Sequence, residues 1–193
     1  MRIALALLVV LAALGAPAWG QAGRQVTVTV QLAAPAKLVG GAYFIAFTVN
    51  DAVLTGPESD STNWTHYVLY RGGRFFFGQV PASPFRPFEF VAVRPPQPLL
   101  YGQALGGGRQ LRARVALTDL TTGPPPARLK INFVTVDEQL RPLDALGSGT
   151  GDRFAFAIID LRRDTYVPVL DRTGDAADPA FDITGGEIQV TTP

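Results

Sequence analysis

Few residues of this chain are able to carry out covalent chemistry. It has one histidine, His66, and no cysteine, which excludes a cysteine nucleophile, thiolate metal ligands and paired-histidine metal sites. A Ser-His-Asp arrangement would have to use His66, yet no Gly-x-Ser-x-Gly elbow is present, and "GSGTG" at 147–151 places its serine one position early. We therefore expect a non-catalytic protein in which His66 is a hydrogen-bonded strand residue.

Carboxylates leave a hydrolase open as an alternative, because the two acids of a glycosidase need only be close in space. The glutamates are Glu58, Glu89, Glu138 and Glu187. Glu89 lies between apolar neighbours in "FEFVAV". A solvated face is the favoured position for it, because a buried, unpaired carboxylate is costly.

An aspartate-rich segment is the strongest candidate for a metal site. It contains Asp171, Asp175, Asp178 and Asp182 in a turn-rich stretch, and oxygen ligands converging from a loop suit Ca²⁺. The spacing does not match a helix-loop-helix calcium loop, and aspartates in such segments also cap turns through their own backbone. No other cofactor is predicted.

The densest aromatic stretch is "NWTHYVLYRGGRFFFG", residues 63–78. A type I′ hairpin around Gly72-Gly73 would place Arg71 opposite Arg74, Tyr70 opposite Phe75 and His66 opposite Gln79. The alternation of a strand then sorts the side chains onto two faces. One face carries Trp64, His66, Val68, Tyr70, Phe75, Phe77 and Gln79, and the other carries Thr65, Tyr67, Leu69, Arg71, Arg74, Phe76 and Val80.

Aromatic rings two residues apart on an exposed sheet can stack on the faces of sugars, and exposed apolar patches tend to bind a ligand. The predicted ligand-binding residues are Trp64, Tyr67, Tyr70, Arg71, Arg74, Phe75 and Phe77. The alternative is that both faces of the hairpin are covered, since cross-strand aromatic pairs also stabilise sheets. The sequence does not decide which face is exposed.

The elements that position these residues read as strands throughout. "RQVTVTVQL" alternates apolar and polar residues, whereas "GGAYFIAFTVN" is a continuous apolar run typical of a central strand. Further strands are predicted at 64–70, 74–80, 88–93, 110–117, 128–136, 154–161, 165–169 and 187–191. The best helical segment is a single turn at 137–140 or 142–146. These strands predict an antiparallel β-sandwich of about 9 to 11 strands, Ig-like or jelly-roll-like.

The start of the chain has the layout of a secretory signal peptide. Arg2 precedes an apolar run from Ile3 to Leu14, and small residues follow it. We expect cleavage after Gly20 or Ala22, residues 21–193 as a single domain, and a bacterial protein exported to the periplasm or outside the cell. No membrane span is expected after signal removal. Beyond the signal, 16 basic residues face 16 acidic ones, which gives no basis for binding nucleic acid.

Residues 42–78, "AYFIAFTVNDAVLTGPESDSTNWTHYVLYRGGRFFFG", resemble uncharacterised exported bacterial β-sandwich proteins. More distantly, they resemble family-9 carbohydrate-binding and DOMON-type modules, which bind sugars or haem. The resemblance implies a β-sandwich, and it carries no site residue over to this chain.

Three functions remain open from the sequence. The first is an exported, non-catalytic sandwich that binds a glycan or a small apolar ligand through the hairpin aromatics. The second is a structural or adhesive cell-surface component whose sheet edges pair with another chain. The third is a carboxylate-based hydrolase.

Overall fold

The computed structural model describes residues 23–51, 56–80, 97–121, 126–145, 157–169 and 178–191. The predicted signal peptide, the predicted strand at 88–93 that contains Glu89, and residues 147–151 lie outside the described residues. The strands are β1 Gln25–Leu32, β2 Gly41–Thr48, β3 His66–Arg71, β4 Arg74–Gln79, β5 Gln97–Pro98, β6 Gly102–Leu105, β7 Gln110–Ala116, β8 Arg128–Asp137, β9 Pro142–Ala145, β10 Ala157–Asp160, β11 Thr165–Val169 and β12 Ile183–Thr191. The helical segments are a 3-10 turn, Gly106–Gly108, and α1, Leu117–Leu120.

The strands form two antiparallel sheets that pack face to face. The first sheet has the order β11-β12-β1-β7-β6, and the second has the order β10-β8-β2-β3-β4-β5, with β9 also paired to β8. This arrangement confirms the predicted all-β sandwich. No helix among the described segments is long and apolar enough to cross a membrane.

The main core lies between the two sheets. Strand β1 contributes Val26, Val28 and Val30 to it, as the predicted alternation requires. Strand β2 is buried along its whole length, which confirms its central position. Its residues Tyr43, Ile45 and Phe47 face the other sheet within this core.

A second apolar cluster covers the outer face of the second sheet. Its members are Ala42, Phe44, Ala46, Trp64, Tyr67, Leu69, Val134, Val136 and Ala145. The described part of the connection before β3, residues 56–65, contacts this face. There, Trp64 Nε1 donates to Glu58 O at 2.6 Å and Asn132 Nδ2 donates to Pro57 O at 2.8 Å. Sheet β10-β8-β2-β3-β4-β5 is therefore apolar on both sides.

Both predicted helical turns are wrong. Residues 142–145 form β9, because Ala145 pairs with Val134 and Asp144 pairs with Thr135 on β8. Residues 137–140 form a turn, in which Asp137 Oδ1 accepts the N–H groups of Gln139 and Arg141. Neither outcome can be seen in local periodicity, because one depends on a distant strand and the other on a side-chain cap.

Strand β12 begins four residues earlier than predicted. Gly185 and Gly186 had the composition of a turn, yet they pair with Gln31 and Val30 of β1. A β-carbon on Gly186 would lie 2.2 Å from Thr29 O, so the close approach of the two strands requires glycine there.

Candidate functional site

The aromatic hairpin has the predicted register. Tyr70 lies opposite Phe75, His66 opposite Gln79 and Arg71 opposite Arg74. Gly72 and Gly73 have φ values of 58° and 78°, the positive sign that a type I′ turn requires at both positions. Arg71 and Arg74 are exposed at the hairpin tip, where solvent screens their repulsion.

The hairpin rings do not form an exposed platform. Trp64, Tyr67, Tyr70 and Phe75 are all buried, at 4%, 0%, 6% and 8% exposure. The expectation that Trp64 or Tyr70 is exposed beside a groove is therefore wrong. Of the predicted aromatic residues, only Phe77 is half-buried and reaches the surface.

The two hairpin faces enter different cores. Tyr70 and Phe75 belong to the core between the sheets, with ring centroids 4.7 Å apart. Trp64 and Tyr67 instead pack against Phe44 in the outer cluster, with centroids 5.3 Å and 5.8 Å from it. The assignment of Trp64 to the face of His66 is thus wrong, because strand β3 begins only at His66 and the alternation does not extend back to Trp64.

Burial changes the acidity of the tyrosines that line these cores. It raises the pKa of Tyr67 to about 12 and that of Tyr43 to about 12, because the phenolate would lose its hydration. Both hydroxyls therefore stay neutral across the physiological pH range, and neither side chain is suited to act as a base.

His66 is a buried, hydrogen-bonded strand residue, as predicted. Its Nε2 lies 2.9 Å from Gln79 Nε2, and its Nδ1 lies 3.2 Å from Thr65 Oγ1. Donation by the Gln79 amide to Nε2 leaves the ring proton on Nδ1, directed at Thr65. The ring also stacks on Phe77, with centroids 5.8 Å apart. Both ring nitrogens thus have partners within the sheet.

The proposed calcium ligands fall partly outside the described residues, which include Asp178 and Asp182 but not Asp171 or Asp175. Asp178 Oδ1 accepts the Ala180 N–H at 3.1 Å, and its other carboxylate oxygen pairs with Lys37 Nζ. This contact with Lys37 and the bond from Ala180 hold the pKa of Asp178 below its usual value. Asp178 thus caps a turn. Across the described segments, no group of three or more potential metal-ligating side chains is found.

A groove that the sequence did not predict opens beside Phe77. Strands β5 and β6 belong to different sheets, and the turn Leu99–Tyr101 connects them across one side of the sandwich. We call the hollow at this turn the side groove; it has a volume of about 360 Å³. Its apolar wall consists of Phe77, Pro98, Leu99, Leu100 and Tyr101, and its polar wall includes Gln25, Gln97, Arg114 and Asp119.

Backbone contacts hold the turn that carries the groove. Leu99 N donates to Phe75 O at 2.9 Å, and Tyr101 O accepts from Arg114 N at 3.2 Å. Gly102 rests directly on Phe75, because a β-carbon there would lie 2.2 Å from the ring. Tyr101 is nevertheless 61% exposed. A hydrogen-bonded turn packed on Phe75 therefore presents an exposed aromatic ring.

The signal for this groove was the run "LLYG" at 99–102, three large apolar residues in a segment with no strand pattern. Such a run in a short connection indicates either burial or a binding surface. Leu100 and Tyr101 turn out to be among the large hydrophobic residues exposed in the described part of the chain.

A polar network occupies the outer face of the first sheet. Arg112 Nε donates to Thr29 Oγ1 at 3.2 Å, and Thr29 Oγ1 donates to Glu187 Oε1 at 3.3 Å. The other Glu187 oxygen accepts from the Tyr166 hydroxyl at 3.2 Å, which raises the pKa of Tyr166. Both carboxylate oxygens of Glu187 thus accept hydrogen bonds within this network.

Comparison of the chain with protein-family models, curated proteins and solved structures finds no match. The assignment of function therefore depends on the geometry of the surface.

Proposed function

We propose that this chain is an exported, non-catalytic β-sandwich protein that binds a glycan through the side groove. The observation that carries the proposal is Tyr101, an exposed ring held on a hydrogen-bonded turn beside Leu100 and Phe77. A sugar ring has an apolar face of C–H groups and a rim of hydroxyls. The aromatic and aliphatic wall complements the face of the sugar, while Gln97, Arg114 and neighbouring polar groups complement its rim.

The volume of the groove agrees with a small ligand. About 360 Å³ lies near the lower end of the range for small-molecule sites and accommodates one or two sugar units. A small apolar ligand would fill the same wall but form no hydrogen bonds with Gln25, Gln97, Arg114 or Asp119. The mixed lining therefore favours a glycan over a purely apolar compound.

Two observations support a non-catalytic role. Among the described residues, Asp119 is the one carboxylate that lines the side groove, whereas glycoside hydrolysis requires a pair. His66 is buried, and hydrogen bonds engage both of its ring nitrogens. Export is supported by the layout of residues 1–20 as a signal peptide.

Association through sheet edges has less support. Edge strand β6 is four residues long, and edge strand β11 contains Pro168, which has no N–H to donate to a partner strand. Short edges and an edge proline are devices that disfavour pairing with another chain.

Two exposed tyrosines provide a matched test. Tyr101 and Tyr166 are 61% and 59% exposed and lie at opposite sides of the first sheet. Binding to soluble polysaccharides and peptidoglycan fragments is screened by saturation-transfer NMR, and affinities are then measured by calorimetry. Tyr101→Ala is expected to weaken binding about tenfold, the loss of one stacking contact, while Tyr166→Ala leaves it unchanged.

Failure of every glycan in the panel to bind, or an equal loss in both variants, would contradict the proposal. A parallel panel of small aromatic and acyl compounds identifies an apolar ligand instead. Thermal melts of both variants establish that any loss of binding does not reflect unfolding.

A further inference from the structure

A second hollow lies near the edge of the second sheet formed by β10, at the point where β8 begins and β10 ends. The side groove lies at the opposite edge, formed by β5. We call it the corner pocket. It is lined by Asp51, Ala127, Arg128, Lys130, Ile158 and Arg162, and it has a volume of about 330 Å³. Strands β2, β3 and β4 separate β8 from the β5 edge at the side groove. The two hollows are therefore separate sites.

Lys130 supplies a buried positive charge to the corner pocket. It is only 6% exposed, although it is one of the residues that line the hollow. Its Nζ donates to Asn50 O at 3.3 Å. A buried ammonium interacts more strongly with a nearby anion than an exposed one does, because solvent screens it less.

Arg128 stands beside Lys130 and has no acidic partner among the described residues. The two residues lie two positions apart on β8, and so on the same face of the strand, about 7 Å apart. The residue opposite Arg128 on β10 is Asp160. Asp160 instead binds Arg162 through two bonds of 2.9 Å, to Nε and Nη2. Arg128 is exposed and forms no ion pair with any residue that the structure describes.

The charge balance of the corner pocket is positive. Three cationic side chains and the carboxylate of Asp51 line it. Because Asp160 pairs with Arg162, these groups together carry three positive and two negative charges. Asp51 Oδ2 accepts the Ala127 N–H at 3.1 Å, which holds the carboxylate in place. The bidentate contact with Asp160 likewise holds the guanidinium of Arg162 in place. The cationic side chains of the pocket thus come from β8 and from the β10–β11 turn.

We infer that the corner pocket binds a phosphate group, either as inorganic phosphate or as the phosphate of a small organic ester. The guanidinium of Arg128 and the ammonium of Lys130 together supply several donors to a tetrahedral oxyanion. The exposed Ile158, opposite Lys130 across the strand pair, offers an apolar contact for the carbon skeleton of an ester. The inference is independent of the glycan proposal, because it uses different residues.

The test measures binding of inorganic phosphate and glycerol 3-phosphate by calorimetry, with sodium chloride holding the ionic strength constant. Wild-type protein is expected to show saturable binding. Arg128→Gln is expected to weaken it about tenfold, the loss of a charge-assisted hydrogen bond. Arg114→Gln, at the side groove, is the matched control and leaves phosphate affinity unchanged. Arg128 is exposed, so this test does not depend on replacing the buried Lys130.

A substitution that is expected to strengthen phosphate binding distinguishes a binding role of the pocket residues from a structural role. Asp51→Asn keeps an oxygen to accept the Ala127 N–H but removes the negative charge, and it is expected to strengthen phosphate binding. The inference is overturned if binding does not saturate at constant ionic strength, if Arg128→Gln binds like wild type, or if Asp51→Asn does not bind more tightly.

Vesicles distinguish the source of the phosphate. Mixed vesicles of phosphatidylcholine and phosphatidylglycerol are added in a sedimentation assay alongside the soluble phosphates. Binding to soluble phosphate supports the pocket, and additional Arg128-dependent sedimentation identifies a lipid headgroup as a source. Sedimentation without any binding of soluble phosphate overturns the inference, because the attraction then belongs to the surface and not to the pocket.

Discussion

The ring of Tyr67 packs against Gly78, the residue directly opposite it in the hairpin. A β-carbon on Gly78 would lie 2.3 Å from both Cζ and the hydroxyl oxygen of Tyr67. Glycine thus leaves the space into which the tyrosine folds, and Tyr67 has no exposed surface. This contact is one reason why the outer hairpin face is part of a core.

Gly78→Ala is expected to destabilise the protein by about 3 kcal/mol, because the added methyl group forces the Tyr67 ring out of its position. Chemical denaturation measures the loss. In a double-mutant cycle, Tyr67→Leu should recover part of it, since the smaller side chain makes room. A Gly78→Ala variant as stable as wild type would mean that the ring is not confined as described.

Alkaline pH is expected to unfold the protein through its buried tyrosines. Burial raises the pKa of Tyr43 and of Tyr67 from 10.0 to about 12, so above pH 10 the unfolded chain loses protons that the folded chain keeps. Stability contributed by each hydroxyl is complete below pH 10 and is lost as pH rises towards 12, by about 2 kcal/mol per group. Denaturation curves between pH 9 and 12 measure this loss. Tyr67→Phe should reduce the slope of the free energy of unfolding against pH. An unchanged slope would exclude Tyr67 as a source of the pH dependence.

Replacing Arg24 is expected to lower the stability of the protein more than replacing Asp164, its partner in an ion pair. The Arg24 side chain is 6% exposed and that of Asp164 is 61% exposed, with Nη2 and Oδ1 separated by 2.9 Å. Arg24 also donates to Leu161 O. Arg24→Gln should cost about 2 kcal/mol, because it loses packing and two contacts.

Asp164→Asn, by contrast, should cost less than about 1 kcal/mol, since its partner contact is largely exposed to solvent. Thermal or chemical denaturation of both variants gives the comparison. Equal losses would show that the tie between the start of β1 and the β10–β11 turn depends on charge and not on the burial of Arg24.

Gly102→Ala is expected to loosen the turn that carries Tyr101. The added methyl group would clash with the ring of Phe75, 2.2 Å away, and push β6 off its base. Amide hydrogen exchange at Leu99, whose N–H bonds to Phe75 O, should accelerate, and glycan binding should fall as in Tyr101→Ala. Phe75→Leu in the same chain should restore protection at Leu99. Exchange at wild-type rates would contradict the contact.

The hairpin register was predictable because its cause is local. Two adjacent glycines permit the positive φ values of a type I′ turn, and once the turn is set every pair from Arg71 and Arg74 to His66 and Gln79 follows. The alternation of β1 was readable for the same reason, since one face of that strand is apolar and the other polar.

Burial of the hairpin was not decided by its own sequence. Trp64 enters the outer cluster because residues 56–65 contact this face of the sheet, with Glu58 O accepting its indole N–H. The side groove was missed for a related reason: Tyr101 lies in a turn whose position depends on Phe75 and Arg114, both distant in sequence. Contacts of this kind arise from tertiary packing, which residue patterns do not encode.

The contact between Gly102 and Phe75 separates residues that support the side groove from residues that line it. The two groups can therefore differ in how readily they accept substitutions. Phe75 of the hairpin supports the groove without lining it, whereas Leu100 and Tyr101 line the groove and are not members of the core. Under the proposed function, substitutions at Leu100 and Tyr101 would therefore alter which ligand is recognised while the core stays intact. This turn is the natural place to diversify the chain when a binder for a new ligand is wanted.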